Sequence, residues 1–219
     1  MGKAARVSHP VFAYMYSRFA PAAEKLGVSE HRAELLRGVN GKVLEVGAGS
    51  GLNFAYYPPT VSEVVAIEPE PHLRARAAQA AVRAPVKVTV MDGMDSELPF
   101  NDAAFDVVVA SLMLCSVPDQ RASLAEMHRV LRAGGELRFY EHVVAQQPGI
   151  VIIQKVADIF WPHVGAGCHT SRDTLGAIED AGFSVSSVRR FQFQPCLMCI
   201  PASPHIIGMA TKDPPELLH

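Results

Sequence analysis

A glycine-rich loop directly after a short apolar run is the feature that most constrains the fold of this chain. Residues 42–46 have the composition of a buried strand, and Gly47, Gly49 and Gly51 follow at once. Glycine leaves the backbone bare, so a nucleotide-like ligand can approach the N-terminus of the next helix. The G-x-G-x-G spacing is one residue shorter than the G-x-G-x-x-G fingerprint of dinucleotide-binding proteins. The loop alone therefore predicts a nucleotide-like ligand without identifying it.

Apolar runs with the period of strands alternate along the chain with helical patterns, which is typical of an α/β fold with a parallel sheet. The last two strands are joined by a long loop and are expected to pair antiparallel. A further helix is predicted from a Ser171 cap to Ala181. The pattern indicates an α/β, Rossmann-like, doubly wound sheet of seven strands, mostly parallel with the last strand antiparallel. The predicted strands are 42–46, 64–67, 86–90, 105–111, 136–141, 183–191 and 206–210, and two more helices are predicted at 71–81 and 119–131.

Composition and charge exclude several classes of protein. The formal net charge of −2 gives no overall basic footprint for nucleic acid. No run of 18 apolar residues is present, so no transmembrane segment is expected. Four cysteines are too few for a disulfide scaffold of this size, and no signal-peptide pattern is recognised at the start. We expect a cytoplasmic protein that acts on small molecules, with its oligomeric state left open.

A carboxylate closes the second predicted strand, at Glu68-Pro69. The ends of neighbouring parallel strands lie together at the edge where such sheets bind ligands. A carboxylate there can accept both ribose hydroxyls of a nucleoside, whereas it would repel a 2′-phosphate. Glu68 therefore favours a nucleoside ligand and argues against NADP.

Together these motifs resemble class I S-adenosylmethionine-dependent methyltransferases. The first strand and its loop look like the first motif of that family, and Glu68 matches its ribose-binding acid. The later motifs follow in the family's order. The matching segments are 43–51, 97–100, 105–108 and 129–135.

The resemblance implies S-adenosylmethionine as cofactor and S-adenosylhomocysteine as product. Its methionine end is expected along Gly47 to Gly51, and Ser111 and Leu112 are expected beside the methyl-bearing sulfur. Met94 stands where many relatives have an acid for the adenine amino group, so Asp92, Asp95 or the backbone could serve instead. The expected cofactor-binding residues are Glu45, Gly47, Ala48, Gly49, Asn53, Glu68, Pro69, Gly93, Met94, Asp95, Ser111 and Leu112.

Further motifs are similar to the thiol S-methyltransferase group, the methyltransferase-like seven proteins, and its bacterial relatives. This implies methyl transfer to a small-molecule acceptor, an alkyl thiol. Two alternatives stay open: a C- or O-methyltransferase for a quinol, phenol or other small metabolite, and a regulatory protein that binds the cofactor without catalysis. The additional motifs are 51–54, 57–59, 114–117, 141–143, 167–172 and 204–206.

Two segments outside the alternation of strands and helices suggest, by their position, how the chain is divided. Residues 1–38 are expected to form an N-terminal helical cover segment, with Phe12, Tyr14, Tyr16 and Phe19 as its aromatic content. Residues 39–219 would form the methyltransferase domain, with 145–170 as an acceptor-side insertion.

Three histidines are candidates for a catalytic base. A thiol with a pKa of about 8.5 is only a few per cent thiolate at neutral pH, so a base would assist the reaction. His142 is the first choice because it follows the fifth strand at the ligand-binding edge, and His205 and His169 are the others.

Cysteines and aromatic residues in the second half of the chain raise the questions of a metal site and of an acceptor pocket. Cys196 and Cys199 form one C-x-x-C pair, whereas structural zinc sites usually use two, and we predict no metal. The aromatic side chains could line an acceptor pocket or belong to the core, namely Phe160, Trp161, Phe191 and Phe193.

Overall fold

The computed structural model describes residues 24–195 and 197–214, and within them seven strands form one sheet in the order β3-β2-β1-β4-β5-β7-β6. The first five strands in the chain pair parallel, and β7 pairs antiparallel with both β5 and β6. The predicted doubly wound sheet is confirmed. The strands are β1 (Gly41–Val46), β2 (Val61–Ile67), β3 (Val88–Met91), β4 (Phe105–Ser111), β5 (Leu131–His142), β6 (Phe183–Gln192) and β7 (Pro204–Lys212).

Helices connect the strands, and two of the longest start at capping side chains. The carboxylate of Glu70 accepts the Leu73 N–H at the first of two long helices, and Asp119 accepts the Ala122 N–H at the second. These two helices agree with the predicted ones to within one residue. The helices are α1 (Ser29–Leu35), α2 (Pro71–Ala81), α3 (Gln120–Val130), α4 (Pro148–Ala157), α5 (Trp161–Val164) and α6 (Thr174–Asp180), with single turns at Glu24–Val28, Phe54–Tyr56 and Leu197–Ala202.

The prediction that Ser171 caps a helix is wrong. Helix α6 begins at Thr174, and the side chain of Asp173 accepts the Gly176 N–H at its start. The Ser171 hydroxyl instead donates a 2.5 Å hydrogen bond to the carboxylate of Asp158. Because that bond holds Ser171 in the preceding loop, the helix starts later than the sequence pattern suggests.

Strand β5 is also longer than predicted, since it begins at Leu131 rather than residue 136. Leu131 pairs with Phe105, and the register between β4 and β5 shifts before Val107. Because the pairing is irregular, the strand can include Gly134 and Gly135, before which the sequence pattern predicted that the preceding helix would stop.

The central strands are buried on both faces, as expected for a sheet covered by helices on each side. Val43 and Leu44 are neighbours on β1 that point to opposite faces, and neither is exposed to solvent. The two cores thus lie above and below the sheet, so polar groups at the strand ends are held by rigid elements.

The register brings the carboxyl ends of four strands to one edge of the sheet. Val46 pairs with Ile67 of β2 and with Ala110 of β4, and Ser111 pairs with Tyr140 of β5. The residues that follow these strands are therefore neighbours in space.

Residues 1–38 were predicted to form a helical segment. Residues 1–23 and the aromatic residues named above lie outside the described residues, whereas Glu24–Val28 forms a turn with a kink at Gly27 that leads into α1. The predicted insertion, residues 145–170, contains α4 and α5. The division into cover segment and domain stays a prediction. Within the described ranges, no helix combines the length and apolarity needed to cross a bilayer, and the cellular location stays a prediction.

Candidate active site

A cavity of about 330 Å³ opens at the carboxyl edge of the sheet. Its walls come from the loops after β1, β2 and β4 and from the segment around Gly167. Of the predicted cofactor-binding residues, Gly93 does not line the cavity; a Cβ there would lie 3.1 Å from the Ile67 side chain, so this glycine allows close packing. The predicted residues that do line it are Glu45, Gly47, Ala48, Gly49, Asn53, Glu68, Pro69, Met94, Asp95, Ser111 and Leu112.

The glycine-rich loop is held against both neighbouring strands. The N–H groups of Gly47 and Ala48 donate to the Ile67 carbonyl at 2.9 and 3.0 Å. Gly47 has a φ of +69°, and a Cβ at this position would lie 2.8 Å from the Cβ of Met113. Only glycine satisfies both the backbone conformation and this contact.

Glu68 lies where the sequence placed a ribose-binding acid. Its carboxylate accepts the Gly49 N–H at 2.7 Å and the Glu70 N–H at 2.9 Å. Burial raises the pKa of Glu68 above its ordinary value, although both hydrogen bonds act in the opposite direction. The side chain thus joins the loop after β1 to the end of β2 and borders the cavity.

Glu45 is the second carboxylate on the cavity wall. It accepts hydrogen bonds from the Asn53 amide at 2.9 Å and from the Tyr57 hydroxyl at 2.7 Å. Burial raises the pKa of Glu45 to about 7. Its ionisation is therefore sensitive to a positive charge that enters the cavity.

Arg32 is a cavity residue that the sequence reasoning missed. Its guanidinium donates to the Asn53 side-chain oxygen at 2.8 Å and to the Glu24 carboxylate at 2.9 Å, and the residue is 5% exposed. It comes from α1, in the predicted cover segment, where no motif pointed to it. A buried arginine that faces a ligand cavity places a fixed positive charge there.

Two cavity residues adopt a backbone conformation that is uncommon outside glycine. Leu112 and Ala166 have φ values of +56° and +49°. The Leu112 N–H donates a 2.6 Å hydrogen bond to the Tyr140 carbonyl, which holds the turn after β4. Strained backbone at a site of this kind is typical of functional loops.

The carboxylate of Glu141, at the end of β5, holds the turn after β4 in place. Its carboxylate accepts the N–H groups of Met113, Leu114 and Cys115 at 3.0, 2.9 and 3.2 Å. Burial raises the pKa of Glu141 to about 7 against the effect of these bonds. In the sequence this residue is recognisable only as part of a family motif, and its role as a support for the turn was missed.

His142 does not line the cavity but belongs to a buried cluster behind its wall. Its Nδ1 atom lies 3.5 Å from the Sγ atoms of Cys115 and of Cys168. Burial acts to lower the pKa of His142, but the hydrogen bond and charge of Cys168 outweigh it and raise the pKa above its ordinary value. Its catalytic role stays a prediction.

The other two predicted histidines have separate surroundings. The Nδ1 of His205 donates to the Ser203 carbonyl at 2.8 Å, and burial lowers the pKa of His205 to about 3. The rings of His142 and His205 are 4.6 Å apart, so the structure brings these two together. His169 instead lies with its Nδ1 4.0 Å from Asp158, and its side chain is 40% exposed. None of the three lines the cavity, and their catalytic roles stay predictions.

The aromatic residues proposed for an acceptor pocket do not line this cavity. The rings of Phe191 and Phe193 lie near His205, with centroids 5.4 and 6.1 Å from its ring. Phe160 is 70% exposed. Phe191 and Phe193 thus pack against the core, whereas Phe160 faces solvent.

Side chains of α4 hold the loop that contains Gly167 and Cys168. The buried amide of Gln154 donates to the carbonyls of Val143, Thr170 and Pro201 and accepts the Ala145 N–H. The Asp158 carboxylate accepts four hydrogen bonds from the N–H and hydroxyl groups of residues 170–171. This side of the cavity is therefore built by the predicted insertion.

The charges and shape of the cavity suit S-adenosylmethionine. Glu45 can pair with the ammonium of the methionine end, and Glu68 can accept the ribose hydroxyls. Apolar side chains of Leu73, Met94 and Ile67 offer a surface for the adenine ring. The ammonium, the ribose and the adenine of that molecule can thus each meet a chemically matched group on the wall.

Comparisons with known proteins agree with this geometry. A family model described as "Methyltransferase domain" matches residues 44–139. The human protein named thiol S-methyltransferase TMT1B is 36% identical over 213 residues, which cover 92% of this chain and 86% of that protein. Human thiol S-methyltransferase TMT1A is 35% identical over 80% of this chain and 73% of its own length.

More distant similarities extend to other activities. The ubiquinone/menaquinone biosynthesis C-methyltransferase UbiE of Dinoroseobacter shibae is 32% identical over 70% of this chain and 61% of that protein. A structure of geranyl diphosphate methyltransferase in complex with SAM superposes with a TM-score of 0.67 at 14% identity, covering 87% of this chain and 86% of that one. The [4+2]-cyclase SpnF superposes with a TM-score of 0.69 at 18% identity, covering 92% and 94%. Structural likeness at these identities establishes the fold.

Proposed function

Because the chain belongs to the class I S-adenosylmethionine-dependent methyltransferases and is an enzyme of that family, we propose that its methyl acceptor is a small molecule with an alkyl thiol. The observation that carries this proposal is the 36% identity to a thiol S-methyltransferase across 92% of the chain. Identity of this extent covers both the cofactor half and the segments after residue 141 that border the cavity.

We propose that the cofactor is held by groups from three strand ends. Glu45 would take the ammonium of the methionine end, with Arg32 and Asn53 beside it, and Glu68 would take the ribose hydroxyls. When bound, S-adenosylmethionine supplies an electrophilic methyl group on a sulfonium sulfur. The turn at Ser111 and Leu112 would border the reacting atoms, and its hydrogen bonds to β5 would keep it in place.

The acceptor would enter along the wall formed by Ser116, Ala166 and Gly167. These residues line the cavity, and the side chains of Gln154 and Asp158 hydrogen-bond the backbone of Thr170, three residues after Gly167. The chain's contribution is to orient the acceptor sulfur about 3–3.5 Å from the methyl carbon and in line with the leaving sulfur. An apolar wall does not oppose this reaction, because the positive charge disappears as the bond breaks.

An acceptor panel tests the proposal. Release of S-adenosylhomocysteine by the purified enzyme is measured with alkyl thiols, sulfide, phenols and quinols side by side. Turnover with alkyl thiols and none with phenols or quinols supports it. Turnover with quinols alone would instead support C-methylation, the activity for which the UbiE relative is named.

A further inference from the structure

Three side chains that typically bind soft metals meet behind the cavity wall. Cys115 comes from the turn after β4, His142 from the end of β5 and Cys168 from the loop after α5. The Sγ atoms of the two cysteines are 3.5 Å apart, and each lies 3.5 Å from the Nδ1 of His142. The three potential ligand atoms thus form an almost equilateral triangle.

That triangle has the size required by a tetrahedral zinc ion. With Zn–S of about 2.3 Å and Zn–N of about 2.0–2.1 Å, tetrahedral angles place two sulfurs about 3.8 Å apart and a sulfur about 3.6 Å from a nitrogen. Shifts of about 0.1–0.3 Å in side-chain position would satisfy these distances. Two thiolates and one neutral imidazole also balance the double positive charge, which matters because Cys115 and Cys168 are 1% and 5% exposed.

The backbone around the cluster is fixed by hydrogen bonds that do not use the ligand atoms. Glu141 accepts the Cys115 N–H, and the His169 N–H donates to the Cys115 carbonyl at 2.8 Å. Arg172 donates to the carbonyls of Leu114 and Val117 at 2.9 and 2.7 Å. The two cysteine segments are therefore tied together before any ion binds, as in preorganised metal sites.

We propose that Cys115, His142 and Cys168 bind one Zn²⁺ ion. Since no fourth His, Cys, Asp or Glu atom of the described residues joins this group, water would complete the tetrahedral coordination. Ser116 and Gly167, next in sequence to the two cysteines, both line the cavity. The ion would lie directly behind the acceptor wall.

This placement gives the ion a positioning role that rests on the proposed function. Bound to Cys115 and Cys168, the ion would tie the turn after β4 to the loop after α5. Ser116 and Gly167, the neighbours of these two cysteines, belong to the acceptor wall. The ion would therefore hold the two parts of that wall at a fixed separation.

Metal content tests the site without any acceptor or cofactor. The full chain, produced in zinc-supplemented medium without a histidine tag or added thiols, is analysed by inductively coupled plasma mass spectrometry. We expect about one zinc per chain. We expect Cys168→Ser and His142→Ala each to lower the content at least about tenfold. The matched controls Cys199→Ser and His128→Ala alter residues outside the cluster and should retain the ion.

Cobalt substitution keeps the test informative if a variant fails to fold. Wild-type protein stripped of metal by a chelator and titrated with Co²⁺ should develop a thiolate-to-cobalt charge-transfer band that saturates at one equivalent. The metal-free protein should show a higher KM for an alkyl thiol than the zinc-loaded protein. The site would be overturned if neither zinc nor the cobalt band were found. It would also be overturned if Cys115 and Cys168 formed a disulfide, or if Cys168→Ser gave the same band as the wild type. An equal KM for a thiol with and without the metal would overturn the positioning role of the ion, whereas a zinc-loaded enzyme that methylates no thiol would contradict the proposed function alone.

Discussion

The backbone N–H of Gly49 donates a 2.7 Å hydrogen bond to the carboxylate of Glu68. Gly49 follows β1 and Glu68 follows β2, so this bond joins two neighbouring loops of the parallel sheet. The same carboxylate also accepts the Glu70 N–H and borders the cavity. One side chain thus shapes the glycine-rich loop and presents an acceptor to the ligand.

Glu68→Gln should raise the Kd for S-adenosylhomocysteine by about 10–100-fold, because hydrogen bonds to a charged group contribute about 1.5–3 kcal/mol. Isothermal titration calorimetry gives the Kd directly. The control is Glu63→Gln, an acid on the same strand that pairs with Lys42 and Lys87 at the surface. A Kd for Glu68→Gln within threefold of the wild-type value would contradict the assigned contact.

Cofactor affinity should fall as the pH is lowered through 7, because Glu45 becomes protonated. Burial raises the pKa of Glu45 to about 7, so the free protein holds this group protonated below neutrality. An incoming ammonium favours the ionised form, so binding releases a proton and affinity rises with pH up to about 7. The linked change in Kd is about tenfold between pH 8 and pH 6. Fluorescence or calorimetric titration across this range measures it.

The matched variant for this pH effect is Glu45→Gln, which cannot ionise. Its affinity should be lower at pH 8 and should vary less with pH than that of the wild type. If both proteins show the same slope, Glu45 is not the group that titrates.

Glu141→Gln should lower the free energy of unfolding by about 1–3 kcal/mol at pH 8, where the wild-type side chain is ionised. The carboxylate accepts three backbone N–H groups, and an amide would turn its own N–H₂ toward one of them. Urea unfolding followed by circular dichroism measures the change. Glu136→Gln, on the same strand in an ion pair with Arg138, should change stability by less than about 1 kcal/mol. Equal stability of the two variants would argue against this role for Glu141.

Gln154→Leu should weaken acceptor binding more than cofactor binding. The amide hydrogen-bonds backbone groups of four residues in the segments that hold the acceptor wall. We expect a lower melting temperature and a higher KM for the acceptor, with the Kd of S-adenosylhomocysteine unchanged. The exposed neighbour Gln146 gives the control Gln146→Leu. A rise in cofactor Kd that matches the rise in acceptor KM would contradict the separation of the two sides.

The sequence was sufficient to predict those parts of the site that are local in the chain. Glu68 and the glycine-rich loop lie at strand ends, and strand periodicity locates strand ends without knowledge of distant contacts. Arg32 was missed because its contact to Asn53 spans 21 residues and belongs to no strand-end motif.

The cysteine–histidine cluster was missed for a similar physical reason. Cys115 and Cys168 are 53 residues apart, and tertiary packing alone brings them together. The sequence drew attention instead to the C-x-x-C pair. Of that pair, Cys196 lies outside the described residues and Cys199 is disulfide-bonded. The predicted helix cap at Ser171 was wrong for the same reason, because the Ser171 hydroxyl donates a hydrogen bond to Asp158, 13 residues away in the sequence.

The central claim is the chemical identity of the acceptor atom, and a molecule with two competing nucleophiles tests it most directly. The enzyme is incubated with S-adenosylmethionine that has a deuterated methyl group and with 4-(2-mercaptoethyl)phenol, which contains an alkyl thiol and a phenol. Mass spectrometry and NMR of the product locate the label. The account predicts a trideuteromethyl group on sulfur in all detectable product. A label on the phenol oxygen or on a ring carbon would contradict it.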